Sequence, residues 1–362
     1  MVKVDLITGF LGSGKTTFIK KYARYLMEQG QNIGILENDF GAINVDMMLL
    51  RELESENCEL EMVAGGCDKD CYRRRFRTKL IAMGMCGYDR ILVEPSGIFD
   101  VDEFFDILHE EPLDRWYEPG SVITIVDANL EEEMSEEENY ILASEAASAG
   151  KIVFSKIGKN LKTEKEAQME EKESIAKAEE SISKVLAHIN IALKQIKCER
   201  VIEEKDCLCK NWDTLTKADF QDLMSAGYTP ENYQKLDFEQ DSVFESLYFL
   251  NKKISVENMK KAAEELFQNP DCGHIFRIKG FLNTNYKEEV MMENKMEDEM
   301  EKVDKPRITK AESWKEFNAT RKNISIQPVK EGQEVLIMIG AGLKQEKIEE
   351  CLERHCTEGF EK

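Results

Sequence analysis

Gly9-Phe10-Leu11-Gly12-Ser13-Gly14-Lys15-Thr16 follows a short apolar run that begins at Val4 and opens a run of helical periodicity. The spacing fits the phosphate-loop pattern, and a strand before it with a helix after it is the context that pattern requires. The glycines let backbone N–H groups turn inward around phosphate oxygens. The N-terminus of the following helix adds the positive end of its dipole. Lys15 is placed to reach the β- and γ-phosphates, and the Thr16 hydroxyl to ligate magnesium. An ordinary Gly-rich turn would not need that lysine and threonine at the loop's end.

A phosphate loop needs a second strand ending in an acid that holds magnesium or its water. Ile91-Leu92-Val93-Glu94-Pro95-Ser96-Gly97 supplies one. Glu94 falls at the C-terminal edge of an apolar strand, where open α/β sheets bind ligands, and Gly97 permits close approach to the γ-phosphate. Apolar runs over 3–8, 32–37, 60–63, 90–94, 122–126, 152–154 and 198–202 read as strands. Helical runs, such as 16–28 and 72–83, separate most of them. The alternation predicts a mostly parallel sheet flanked by helices.

The charged stretch 159–174 merges into a helix with Ile182, Val185, Ile189, Leu193 and Ile196 as its apolar stripe. We divide the chain into a phosphate-loop domain over 1–203, a polar connection over 204–241 and a smaller α+β domain over 242–362. In the last, a helix is expected at 256–267, strands at 274–281, 324–327 and 334–339, and a final helix at 345–356. A Met- and acid-rich insert, 286–305, reads as a polar loop, with soft-metal capture as the alternative.

The chain has 362 residues, with 71 acids against 49 bases. That surplus of negative charge argues against a nucleic-acid partner and against docking on anionic lipid, and favours cations and basic proteins. No stretch approaches the roughly 20 apolar residues of a membrane span, and the first apolar run leads straight into the glycine loop. The expectation is a cytoplasmic protein whose ten cysteines are thiols.

Several of these segments together resemble the CobW family of GTPases. They are Gly9 to Thr17, Glu37-Asn38-Asp39-Phe40-Gly41 as the first switch, Glu94-Pro95-Ser96-Gly97 and Val126-Asp127-Ala128. Arg277-Ile278-Lys279-Gly280-Phe281 and Ile339-Gly340 resemble that family's C-terminal domain. The resemblance implies GTP-dependent delivery of a metal or metal cofactor to client proteins. It puts Asp39 with Thr16 and Glu94 in the magnesium and switch machinery, and Glu37 among ligands of the transported metal.

Two places depart from the family. Its Gly-Cys-x-Cys-Cys motif reads here Gly66-Cys67-Asp68-Lys69-Asp70-Cys71. Cys67 and Cys71 share a face if a helix begins near Asp68, and that helix start with Arg73-Arg74-Arg75 would stabilise metal-binding thiolates. Cys58 is a further thiol within reach in sequence. The base motif, Asn/Ser/Thr-Lys-x-Asp, reads Ser155-Lys156-Ile157-Gly158. Ser155 and Lys156 are in place, but Gly158 brings no carboxylate to guanine, which leaves GTP and ATP both open.

Two weaker metal candidates are Cys207 with Cys209 and Cys351 with His355. His109, His188 and His274 read as structural, and the acidic run 131–138 as a solvated helix start. The combined expectation is a magnesium-dependent nucleoside triphosphatase, for GTP or ATP. It would carry zinc, cobalt or a metal cofactor such as a corrinoid to a client metalloprotein. The alternatives are a nucleotide-gated binding module without useful turnover, and a small-molecule kinase. The payload, the client and the oligomeric state stay open.

Overall fold

The structure, a computed structural model, describes residues 1–39, 45–64, 69–95, 101–130, 134–157, 167–235, 245–284, 314–321 and 323–356. The insert 286–305, Gly158 and the segment from Gly65 through Asp68 lie outside these residues. The chain forms two compact units, Met1–Asp237 and Phe238–Lys362.

The first unit carries strands β1 (Val2–Thr8), β2 (Ile33–Asp39), β3 (Cys58–Ala64), β4 (Arg90–Glu94), β5 (Tyr117–Asp127), β6 (Lys151–Ser155) and β7 (Cys207–Leu208). They form a sheet in the order β3-β2-β4-β1-β5-β6-β7, and each neighbouring pair is parallel. Its helices are α1 (Lys15–Glu28), α2 (Val45–Leu50), α3 (Lys69–Met83), α4 (Val101–Leu108), α5 (Leu113–Trp116), α6 (Glu136–Ala147), α7 (Ala167–Gln195) and α8 (Lys217–Met224).

Strand alternation sorts the core onto two faces. Val4, Leu6, Ile91 and Val93 pack with Phe76 and Leu80 of α3 and Phe104 of α4. Ile7, Leu92, Ile123 and Ile125 pack on the opposite face, with Phe18 and Tyr22 of α1 and Phe220 and Leu223 of α8. The stripe expected on α7 is present: Val185, Ile189, Leu193 and Ile196 are buried among Ala143 and Ala146 of α6. Covering both faces lets the middle of a central strand be apolar, as at Ile91, Leu92 and Val93 of β4, where every residue is buried.

Beneath the sheet's centre lies a buried ion pair. Arg90 donates to Asp5 at 2.6 Å. The Tyr22 hydroxyl and the Ser121 amide also donate to Asp5, each at 2.8 Å. The carboxylate therefore ties β1, β4, β5 and α1 together, and each of its oxygens is satisfied.

Two expectations are corrected. Residues 198–202 form no strand, because their backbone is already engaged. The Cys198 amide donates to the Leu193 carbonyl, and the Asn190 side chain both accepts from the Ile202 amide and donates to the Ile202 carbonyl. The seventh strand is instead β7. Residues 204–235, read from the sequence as connection, contribute β7, α8 and the turn Trp212–Thr214 to the first unit.

The second unit holds an antiparallel sheet, order β11-β10-β9-β12-β8. Its strands are β8 (Glu245–Leu250), β9 (His274–Asn283), β10 (Trp314–Thr320), β11 (Asn323–Val329) and β12 (Val335–Ala341). Helices α9 (Val256–Gln268) and α10 (Gln345–His355) pack through Met259, Leu266, Ile348 and Leu352 into a core with Ile278 and Met338. Among the described residues no helix is long and apolar enough to cross a membrane.

Candidate functional site

Every strand of the first sheet is parallel, so all their C-terminal ends meet at one edge. The phosphate-loop segment leaves β1 there and turns into α1. Gly9 has φ +141, and a Cβ on it would lie 2.3 Å from the Ile125 carbonyl oxygen, so no side chain fits. Gly14, at φ +106, forms the N-cap of α1. No side chain caps that helix, and no acid stands in its first turn. The start of α1 thus presents its positive dipole end at the sheet edge, where an anion is favoured.

Lys15 is buried, and its ammonium donates to the Gly9 carbonyl at 2.8 Å. The Thr16 hydroxyl donates to Glu94 Oε1 at 3.0 Å. Residues 78 positions apart are thereby joined at the sheet edge. Glu37 stands opposite Glu94 in the β2–β4 register, and both are buried. The hydroxyls of Ser13 and Ser155 are buried with no hydrogen-bond partner among the described residues. Orphaned donors of this kind are uncommon in folded proteins and suit a ligand's oxygens.

At the β6 end, Lys156 adopts φ 59 and its ammonium pairs with Asp127. Gly12 closes the loop at φ 77. Asp39 is the last residue of β2 and Cys71 falls within α3, whereas Gly97 and Cys67 lie outside the described residues. Cys58 belongs elsewhere: it begins β3, at the sheet edge opposite the loop, and is fully buried in the α1-side core. Burial pushes its thiol up to about 11.

Two residues at this edge escaped sequence reading. Glu145, on α6, is fully buried, and among the described residues neither of its oxygens has a hydrogen-bond partner of ordinary geometry. Burial pushes its carboxyl up to about 8, against the opposing pull of the Lys15 ammonium and the Gly9 amide. Its signal was an acid inside the otherwise small and apolar run Leu142 to Ala147. Trp212 lies against the loop, its ring 3.3 Å from where a Cβ on Gly14 would sit. Its indole N–H donates to the Phe154 carbonyl at 2.9 Å, and the ring meets Phe18 edge-on. The signal there was a lone tryptophan in a polar stretch.

Among the described residues, Cys207 and Cys209 lie together but gather no third His, Cys, Asp or Glu ligand. His188 donates to Asn139 at 2.7 Å, joining α7 to α6. The acidic run ends as a helix start: Ser135 and Glu138 form a capping box on α6, and Glu136 and Glu137 stand in its first turn.

The sequence matches the model of the CobW/HypB/UreG nucleotide-binding domain over residues 3–184. It is 30% identical over 159 residues to the zinc chaperone YeiR of Escherichia coli K12, covering 43% of this chain and 47% of YeiR. It is also 30% identical over 167 residues to the zinc chaperone YjiA of the same organism, covering 43% of this chain and 49% of YjiA. The chain thus spans about half the length of the curated relatives it matches. Among solved structures it aligns with the Zn(II)-bound YjiA GTPase from E. coli at 16% identity and TM-score 0.32, covering 98% of both chains. It aligns with hydrogenase maturation factor HypB from Archaeoglobus fulgidus at 17% identity and TM-score 0.31, covering 54% of this chain and 78% of that one. The family match takes in half the chain, including the phosphate-loop segment, Glu94 and the β6 end, and the chain therefore belongs to the CobW/HypB/UreG family through its nucleotide-binding domain.

Proposed function

We propose that this chain is a magnesium-dependent nucleoside triphosphatase, acting on GTP or ATP, that passes a thiophilic metal ion or a metal cofactor to a client metalloprotein. The observation that carries the reading is the Thr16–Glu94 hydrogen bond beside the uncapped start of α1 and the buried Lys15. A hydroxyl and a carboxylate are the hard oxygen donors that magnesium takes, and the two stand close enough to hold the ion or its water. When bound, magnesium would neutralise charge on the phosphates. The rest of the work falls to the chain. Lys15 exchanges the Gly9 carbonyl for the β- and γ-phosphates, and the amides at the start of α1 and the orphaned hydroxyl of Ser13 bind phosphate oxygens. Asp39 and Gly97 complete the switch side, while Ser155 and Lys156 flank the base.

The cargo side rests on Glu37, Cys67 and Cys71. YeiR and YjiA are both zinc chaperones, which supports zinc as the payload, with cobalt as the next soft-to-borderline ion. Nucleotide state would reach that segment at the sheet edge, since β2, which leads into the first switch, ends beside β3, which leads into the Cys67 stretch. The first unit, Met1–Asp237, would hydrolyse nucleotide, and the second, Phe238–Lys362, would meet the client. The test follows phosphate release and metal occupancy in one sample. The reading expects zinc bound before turnover, weakened in Cys67→Ser or Cys71→Ser, and passed to a chelating acceptor faster once GTP or ATP is added. Nucleotide binding without phosphate release would leave a gating module instead.

A further inference from the structure

We propose that Glu265, Cys351 and His355 form a second zinc(II) site, built wholly within the C-terminal unit and independent of the phosphate loop. Cys351 and His355 are four apart on α10 and therefore share a face. Glu265 comes from α9, which packs against it. One ligand atom from each residue lies within 4.8 Å of the other two, and His355 Nε2 is 2.8 Å from Glu265 Oε2. Tetrahedral zinc with sulfur, nitrogen and oxygen ligands sets those atoms about 3.3–3.8 Å apart. Shifts of an ångström or less at side-chain ends would therefore convert the cluster into a coordination shell.

The chemistry of the set is selective. Thiolate, imidazole and carboxylate together suit zinc, whereas magnesium and calcium prefer oxygen alone. An ion pair joins Glu265 to Arg354 and His355, and the Cys351 thiol hydrogen-bonds to the same carboxylate, so the three candidate ligands already meet at one point. The Cys351 side chain is completely buried among Leu266, Cys272 and Leu352, and it opens toward Glu265. Like any unliganded thiol, it carries its proton at neutral pH. Zinc would displace that proton to solvent and form the Zn–S bond, and thiolate plus carboxylate then balance the ion's charge. Arg354 donates to Glu265 Oε1 at 2.6 Å, fixing the carboxylate from behind while Oε2 faces the imidazole. The His355 carbonyl accepts from Asn258 at 3.1 Å, which pins the end of α10 to the start of α9. Three protein ligands leave a fourth position for water or an incoming donor, the arrangement of an exchangeable site rather than a closed structural one.

The experiment uses the full chain carrying Cys67→Ser and Cys71→Ser, stripped of metal, so that the family's own motif is silent. Zinc is titrated in competition with a chromophoric chelator, and cobalt(II) is added separately as a spectroscopic probe. We expect one zinc equivalent, a thiolate-to-cobalt charge-transfer band, and one proton released per zinc. His355→Ala and Glu265→Gln should each weaken zinc at least tenfold, and Cys351→Ser should remove the band. Circular dichroism checks the fold; should Cys351→Ser unfold, the part-exposed His355 still decides the matter. Zinc affinity and a cobalt spectrum unchanged in both His355→Ala and Glu265→Gln would overturn the site, whatever the nucleotide assays show.

Discussion

The Thr16 hydroxyl donates to Glu94 Oε1 across 3.0 Å, so the first turn of α1 and the end of β4 share one hydrogen bond at the sheet's ligand-binding edge. If this pair serves magnesium, it is held ready before the ion arrives. Thr16→Ala and Glu94→Gln should each lower kcat by about 10²-fold or more, and should raise the magnesium concentration needed for half-maximal rate. Phosphate release measured across a magnesium series checks this. A magnesium dependence identical to wild type would remove both residues from the ion's shell.

Glu145 makes stability depend on pH. Its folded-state carboxyl stands near 8, against an ordinary value of 4.5. The folded protein therefore keeps a proton that the unfolded chain has released. The stabilising contribution is full below about pH 4.5 and is lost as pH rises through about 8. Thermal unfolding of the nucleotide-free protein should show Tm falling over that window. Glu145→Gln should flatten the fall and stabilise the protein at alkaline pH by a few kcal/mol, on the order of the cost of several pKa units. A pH slope unchanged in the variant would contradict this.

Asp5 is expected to be among the costliest polar residues to remove. Asp5→Ala leaves Arg90 charged and buried beneath the sheet, which should cost roughly 3–5 kcal/mol. Denaturant unfolding measures it. Replacing Asp5 and Arg90 together should restore part of the loss, because no uncompensated charge remains.

Base choice should be loose. Gly158 brings no carboxylate to guanine, and a lysine stem such as that of Lys156 would cover either purine. ATP and GTP affinities are expected within about 30-fold, a gap of about 2 kcal/mol. Gly158→Asp should shift preference toward GTP. Trp212→Ala should weaken both nucleotides by a similar factor, since the ring touches the loop at Gly14 and carries no purine-specific hydrogen bond. Competition against labelled GTP separates these outcomes, and a wild-type preference for GTP above a thousandfold would show that another residue reads the base.

The parallel sheet was legible because β1 and β4 carry apolar runs on both faces, Leu6-Ile7 and Ile91-Leu92-Val93, and end in chemistry that only a strand edge can present. The second unit was half legible. β12 declares itself by an unbroken apolar run and β9 by apolar residues interleaved with Arg277 and Lys279, but Trp314–Thr320 mixes lysine, glutamate and asparagine with its buried Phe317 and Ala319 and was missed. The false strand at 198–202 has β-like residues whose hydrogen bonds go to Asn190, a side chain twelve residues away in a helix. No local pattern announces such a partner. Thr16 and Glu94 could be assigned from motifs, because the phosphate loop fixes their roles. Glu145 and Trp212 reach the same edge only through tertiary packing, and Glu265 joins Cys351 and His355 across two helices that are separate in sequence.

The central claim is that Lys15 and its loop bind and hydrolyse a nucleoside triphosphate. Phosphate release from GTP and from ATP, with magnesium, should be measured for wild type and Lys15→Ala side by side. The account predicts slow turnover by wild type and none by the variant, because the described loop offers no second mobile cation to the γ-phosphate. Equal rates in the two proteins, or no nucleotide bound by either, would contradict it.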